Sequence, residues 1–169
     1  MNNYKTYILI GIHVVLSMTL LAQTTVIPST LQAMLFKKIF DYDKSLQGKG
    51  TVNVLVVYNE SSTIAKDRMI AAFKAVGIGA TGARVGEAST VISAAHVVYV
   101  TAGVTSMREL CSKHKVLSIS GDGTLADSGE VSVGLGMSDG KPKIIVNAGQ
   151  LKAEGQELSA DLLKMAKYR

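Results

Sequence analysis

Three short apolar runs, separated by stretches of helical pattern, constrain this chain more than any other feature. They are "TVNVLVVY" (Thr51 to Tyr58), "HVVYVT" (His96 to Thr101) and "KVLSIS" (Lys115 to Ser120). The first two are rich in β-branched residues, and the character of all three suits strands buried on both faces. After the first comes "SSTIAKDRMIAAFKAVG", with Ala65, Met69, Ala72, Phe73 and Val76 on one helical stripe and Gly77 as its stop. Between the second and third, "SMRELCSKHK" reads as another helix. Parallel strands cannot be joined by a tight turn and need a crossover, which a helix supplies. The expected class is therefore α/β, a mainly parallel sheet flanked by helices.

The flanks extend this pattern. Ser29 and Thr30 follow Pro28 and open "LQAMLFKKIFDYD", where Leu31, Met34, Leu35 and Ile39 recur at helical spacing. After Ser120 the pattern changes: "EVSVGLGM" and "PKIIVN" are strands on either side of Asp139-Gly140, a strong hairpin signal, so the sheet is expected to end in an antiparallel pair. Asn147 is placed to cap "AGQLKAE", with Gln150 at the capping-box position. Gly155 separates this helix from "SADLLKMAKY", which Ser159 can cap and whose Leu162, Leu163 and Met165 are expected to help close the core.

The amino terminus addresses the chain. Lys5 precedes "YILIGIHVVLSMTLLA", Tyr7 to Ala22, and a polar stretch comes next. A charged start, an apolar run and a small residue before a polar segment form a secretory signal peptide, here residues 1–22, leaving 23–169 as one domain. The run is slightly short for a spanning helix, but Leu20 suits the cut poorly, so an uncleaved anchor is the alternative; after cleavage no stable membrane span is expected. Cys111 is the chain's one cysteine. It cannot form an internal bridge, so stability must come from the core, and its place beside Met107 on an apolar phase reads as a buried structural thiol. The net charge of +5 is spread among acids, as in Lys66-Asp67-Arg68 and Arg108-Glu109, which argues against nucleic acid as a partner.

Gly121, Gly123, Gly129, Gly134 and Gly136 crowd the region after the third strand. The stretch Gly121 to Ala126 has the letters of a dinucleotide fingerprint, but the residues beyond it read as another strand, not as the helix that would face the phosphates. A calcium loop would need oxygen ligands where Gly123 and Leu125 stand, and no complete P-loop occurs. Ser112 and Lys115 have the spacing of a serine-lysine pair without its companion motifs. His96 in a buried strand reads as a satisfied core residue, and Asp41 and Asp43 as a solvated helix end. No catalytic residue, metal ligand or cofactor is assigned. The glycines are read as structural: a left-handed turn at Gly121 to Gly123, and close approach at Gly134 and Gly136.

The carboxyl-terminal run resembles the YfiR/HmsC family. The matching features are Leu117 to Ser120, Ser128-Gly129, Asp139-Gly140-Lys141, Ile144 to Asn147, Gly155 and Leu162 to Ala166; "LQAMLFKKIFDYDKSLQGKGTVNVLVVY" looks like the family's first helix and strand. The resemblance implies an exported, non-enzymatic regulator in the periplasm. Its partner would be the outer-facing domain of a membrane-bound sensor or diguanylate cyclase, restrained so that cyclic di-GMP and biofilm formation fall; a homodimer is the other partnership considered. The family's frequent Trp-Pro is replaced by Tyr42 to Ser45, and the disulfides of some members cannot form around Cys111 alone. The alternative reading is an exported small-molecule binding module with its pocket at the carboxyl ends of the parallel strands. Converging polar groups in such a pocket would favour a ligand, and an exposed apolar surface a protein.

Overall fold

A computed structural model describes residues 26–168. The signal-peptide reading of residues 1–22 lies outside them. In chain order the elements are α1 (Ser29–Asp41), β1 (Asn53–Tyr58), α2 (Thr63–Ala75), β2 (Gly79–Arg84), α3 (Ala88–Val91), β3 (Val97–Val100), α4 (Arg108–His114), β4 (Leu117–Ser120), α5 (Gly123–Asp127), β5 (Val133–Ser138), β6 (Lys141–Val146), α6 (Ala148–Ala153), α7 (Ala160–Met165) and β7 (Lys167–Tyr168). The strands form one sheet in the order β2-β1-β3-β4-β5-β6-β7. Only the β5-β6 pair is antiparallel.

Alternation along the strands divides the core into two layers. Val54 and Val56 of β1, Val97 and Tyr99 of β3, and Leu117 and Ile119 of β4 face α1 and α2. Leu55, Val57, Val98 and Val100 face the layer that holds Ala88, Cys111 and Ala126, from α3, α4 and α5. This is why the three runs read as continuously apolar: each strand is covered on both sides. With α3, α4 and α5 on one face, the other face beyond α2 would be bare. Helix α1 covers it, and Leu162 of α7 joins the same layer.

Several expectations are corrected. The edge strand β2, "GATGAR", and α3 were not anticipated from the sequence. An edge strand of Gly and Ala carries no β-branched signal, and its pairing with β1 comes from the preceding helix delivering it there. On α1 the buried face is Gln32, Ala33, Phe36, Ile39 and Phe40, whereas Met34 is 56% exposed. The face is rotated because Phe36 sits among Phe40, Phe73 and Tyr99, with ring centroids 5.9–6.4 Å apart in this cluster. Neither Ser29 nor Thr30 caps α1; Pro28 is the residue at its start. In α2, Met69, Ala72 and Phe73 are buried but Ala65 is exposed. Strand β4 begins at Leu117, because Lys115 takes a left-handed conformation (φ 56°) at the end of α4. The hairpin forms at Asp139 and Gly140, both at positive φ as a tight turn requires. The sheet does not end there, since β7 adds beside β6.

Asp43 is also corrected: it is 0% exposed, not solvated. The chain after α1 meets the lead-in to α7, where Asp43 bridges Leu158 and Lys44 N donates to Glu157 O at 2.9 Å. Its Oδ1 accepts from Ser45 N at 2.8 Å, and burial pushes the carboxyl above its ordinary value.

Candidate partner-binding groove

The carboxyl ends of β3 and β4 open into a groove of about 1500 Å³. One wall is α2, presenting Ala65, Arg68, Ala71 and Ala75; the other is the β5-β6 ribbon, presenting Leu135, Gly136, Met137, Lys143 and Ile145. Thr101, Ser120 and Gly121 form its base, and Val26 to Pro28 enter beside them.

The crowded glycines build this base. A Cβ on Gly121 would stand 2.0 Å from Gln32 Oε1, so the side chain of Gln32 occupies the space a larger residue would need. A Cβ on Gly134 would stand 2.9 Å from both Gly123 Cα and Ala126 Cβ, so the glycines let α5 lie directly on β5. The left-handed turn expected at Gly121 to Gly123 is not there; positive φ falls at Gly129 (80°) instead, where the chain leaves α5 for β5. Contrary to the sequence reading, Gly123 does open a helix. Asp122 caps it, its carboxylate accepting from Thr124 N at 2.9 Å and Thr124 Oγ1 at 2.7 Å. An acidic side chain therefore stands where a phosphate would have to, and the phosphate reading fails on charge and not on the absence of a helix.

Polar groups along the groove are mostly satisfied from within. Tyr99 OH donates to Gln32 Oε1 at 2.8 Å, and Gln32 Nε2 donates to Ile27 O at 2.7 Å. Desolvation pushes the Tyr99 phenol up to about 12. Ser120 Oγ donates to Val100 O at 2.8 Å and Thr101 Oγ1 to Val57 O at 3.1 Å. Lys167 Nζ pairs with Asp127 Oδ1 at 3.1 Å. Arg68 and Lys143, both exposed, form no ion pair among the described residues.

A second polar cluster lies under the opposite end of β4. Glu154, at the end of α6, is 0% exposed. Its carboxyl accepts from Ser118 N at 3.0 Å, from Gln150 Nε2 at 2.8 Å, and from the hydroxyls of Ser118 and Ser132. Burial outweighs these hydrogen bonds and raises its pKa. The cluster has no route for a substrate, because Ser118, Ser132 and Glu154 are all fully buried. It joins α6 to β4. No sequence signal pointed to Glu154, since a lone glutamate near a helix end looks solvated.

The residues singled out from sequence are placed around these two features. Asn147 Oδ1 accepts from Gln150 N at 2.9 Å at the start of α6, while its Nδ2 donates to Ala126 O at 3.0 Å and so ties α6 to α5. Gln150 does not complete a capping box; its amide is turned inward to Glu154. Gly155 ends α6 at φ 68°. Ser159 Oγ accepts from Leu162 N at 3.4 Å. Leu162 is buried and Leu163 packs against the core, but Met165 is 62% exposed and does not help close it. His96 precedes β3, half-buried, its Nδ1 accepting from Asn53 N at 3.2 Å. Cys111 is fully buried, and its thiol is pushed up by desolvation and by the charge of Glu154. Among the described residues no three His, Cys, Asp or Glu stand together as a metal site, and no helix is long and apolar enough to cross a membrane.

Two solved structures share the fold. A conserved domain protein from Vibrio cholerae O1 biovar El Tor superposes with a TM-score of 0.61 at 12% identity, and an ABC domain in complex with L-Trp from Streptococcus pneumonia with 0.59 at 12%. Each match covers 83% of this chain and 60% of the other, so the chain spans less than two thirds of their length. No curated protein matches it. The family model that describes YfiR/HmsC-like domains, a regulatory and non-catalytic kind, matches residues 30–167, from the first turn of α1 to the start of β7. With nearly all of the described fold accounted for by that match, the chain belongs to the YfiR/HmsC-like family.

Proposed function

We propose that this protein is exported to the periplasm by its amino-terminal signal peptide and there binds and restrains the outer-facing domain of a membrane signalling protein, such as a diguanylate cyclase, without catalysing a reaction. The observation that carries the reading is the groove. It is open and broadly apolar, and the polar side chains of Gln32, Tyr99, Thr101 and Ser120 within it already hydrogen-bond inside the protein, so few donors and acceptors there are left to orient a small polar ligand. Family membership supports a regulatory role. The test is intracellular cyclic di-GMP in a host carrying the cognate cyclase: deletion of this protein raises it and re-expression restores it. Unchanged cyclic di-GMP on deletion would refute the reading.

A second reading, an exported small-molecule binding module, is favoured by the groove's position at the carboxyl ends of parallel strands, where open α/β sheets bind ligands. Stabilisation by a small molecule that grows with the logarithm of its concentration, about 2.7 kcal/mol at a hundredfold excess over Kd, would support it.

A further inference from the structure

We infer that residues 148–168, the unit of α6, α7 and β7, are latched to the body of the fold at two buried carboxyls, Asp43 and Glu154, and that acid closes this latch while rising pH loosens it. The inference goes beyond the regulator reading and does not depend on it.

The joints between unit and body come first. Strand β7 pairs with β6 at two positions, Ile145 with Lys167 and Val146 with Tyr168. The lead-in to α7 is clasped to the chain after α1, where Ser159 N donates to Tyr42 O and Lys44 N to Glu157 O, both at 2.9 Å. Asp43 sits at the centre of that clasp, opposite Leu158, and is 0% exposed. Its Oδ1 accepts from Ser45 N at 2.8 Å, whereas its Oδ2 has no hydrogen-bond partner among the described residues. Glu154 holds the other joint: from the last residue beyond α6 it reaches Ser118 of β4 and Ser132 just ahead of β5. One carboxyl comes from the body and one from the unit, and each lies where the two meet.

Charge decides the sign. Burying a neutral carboxyl costs what burying any polar group costs, but a carboxylate without a cation costs far more. Neither Asp43 nor Glu154 forms an ion pair among the described residues. The charged groups beside Asp43 are Lys49, the weakest of the influences on it, and Lys44 and Glu157, which pair with each other at the surface. Facing Glu154 from α4 is Cys111, a thiol that desolvation keeps protonated, while Ser118, Ser132 and Gln150 are neutral and Lys115 Nζ is taken by Ala153 O at 2.7 Å. Desolvation outweighs the hydrogen bonds at both sites and lifts both carboxyls above their ordinary values of 3.8 and 4.5. On release both return to water, so the latched state binds its protons more tightly. Its advantage is complete below the ordinary values and is lost as pH rises through the raised ones. Lys167 of β7 lines the groove and pairs with Asp127, so loosening the unit also frees a residue of the groove's lining.

The test is amide hydrogen exchange of the exported protein from pH 4.5 to about pH 8, each amide corrected for its intrinsic rate. Protection at Lys44, Ser159 and the amides of α6 and α7 falls at least about tenfold across that range, since one unit of pKa difference between latched and released carboxyls is worth tenfold. Amides of β1 and β3 keep their protection, because the opening is local. Asp43→Asn and Glu154→Gln each reduce the fall, and the double variant abolishes it. The wild-type profile decides the matter even where a variant does not fold, and the carboxyl carbon resonance of Asp43 reports its protonation directly, with a midpoint above 3.8. Protection of the unit that does not change with pH overturns the inference, as does a fall shared equally by β1 and β3, which is global unfolding. An Asp43 midpoint at or below 3.8, or a folded double variant with the wild-type pH dependence, overturns it as well.

Discussion

Replacing Glu154 tests whether the buried carboxyl holds α6 to the sheet. In a parallel strand the N-H and C=O of one residue point to the same neighbour. Ser118 O accepts from Ser132 N at 3.2 Å, so Ser118 N-H also faces the β5 side, but β5 begins only at Val133 and supplies no acceptor there. Glu154 Oε2 takes that place. Glu154→Ala leaves a buried N-H unpaired, at about 1–3 kcal/mol, and removes packed atoms worth about 0.8 kcal/mol per methylene. The hydroxyls of Ser118 and Ser132 can rotate, and Gln150 Nε2 keeps Arg108 O and Ser112 Oγ as acceptors. The total is about 2–4 kcal/mol. Glu154→Gln retains one acceptor oxygen and should cost about 1 kcal/mol. The pH dependence comes from the raised native pKa. The folded state holds the proton more tightly than the unfolded state, so this contribution is fully present below the ordinary value of 4.5 and is lost as pH rises through the raised native value. Urea unfolding from pH 4.5 upward should show wild-type stability falling relative to Glu154→Gln. A Glu154→Ala protein within about 0.5 kcal/mol of wild type, or identical pH slopes for wild type and Glu154→Gln, would refute the reasoning.

Other consequences are equally accessible. Leu162→Ala should lose about 2–5 kcal/mol in denaturant unfolding because the side chain is 2% exposed. Asn147→Ala should lose about 1 kcal/mol or somewhat more, since the cap of α6 and the bond to Ala126 go together. Gly134→Ala should destabilise by about 1–3 kcal/mol, because its Cβ meets the Gly123 backbone at 2.9 Å and α5 must lift from β5; an unchanged melting temperature would contradict that contact. Cys111 should resist a thiol reagent in the native protein and react on unfolding, as its burial and raised pKa require. Rapid native labelling would show that α4 opens locally.

Local and periodic features were legible in the residues alone. Strands β1, β3 and β4 could be read because a strand covered on both faces has almost no polar positions, and the β5-β6 turn because Asp139-Gly140 accepts positive φ. The caps at Asn147 and Ser159 were equally local: a cap bonds backbone only three residues away. Everything else depends on neighbours distant in the chain. Strand β2 exists because β1 has a free edge, not because Gly79 to Arg84 favour extension. The face of α1 is set by Tyr99, 67 residues from Gln32, and the absence of side chains at Gly121 and Gly134 is explained only by Gln32 and α5 standing against them. Asp43 reads as solvated because a carboxylate at a helix end usually is, and Glu154 gives no signal at all; the segment before α7 bridges the backbone of Asp43, and Ser118 and Ser132, more than 20 residues away, bond Glu154. The groove is the extreme case. Its walls come from α2 and from a ribbon some 60 residues later, and no local pattern records a space between two elements that only the sheet brings to face each other.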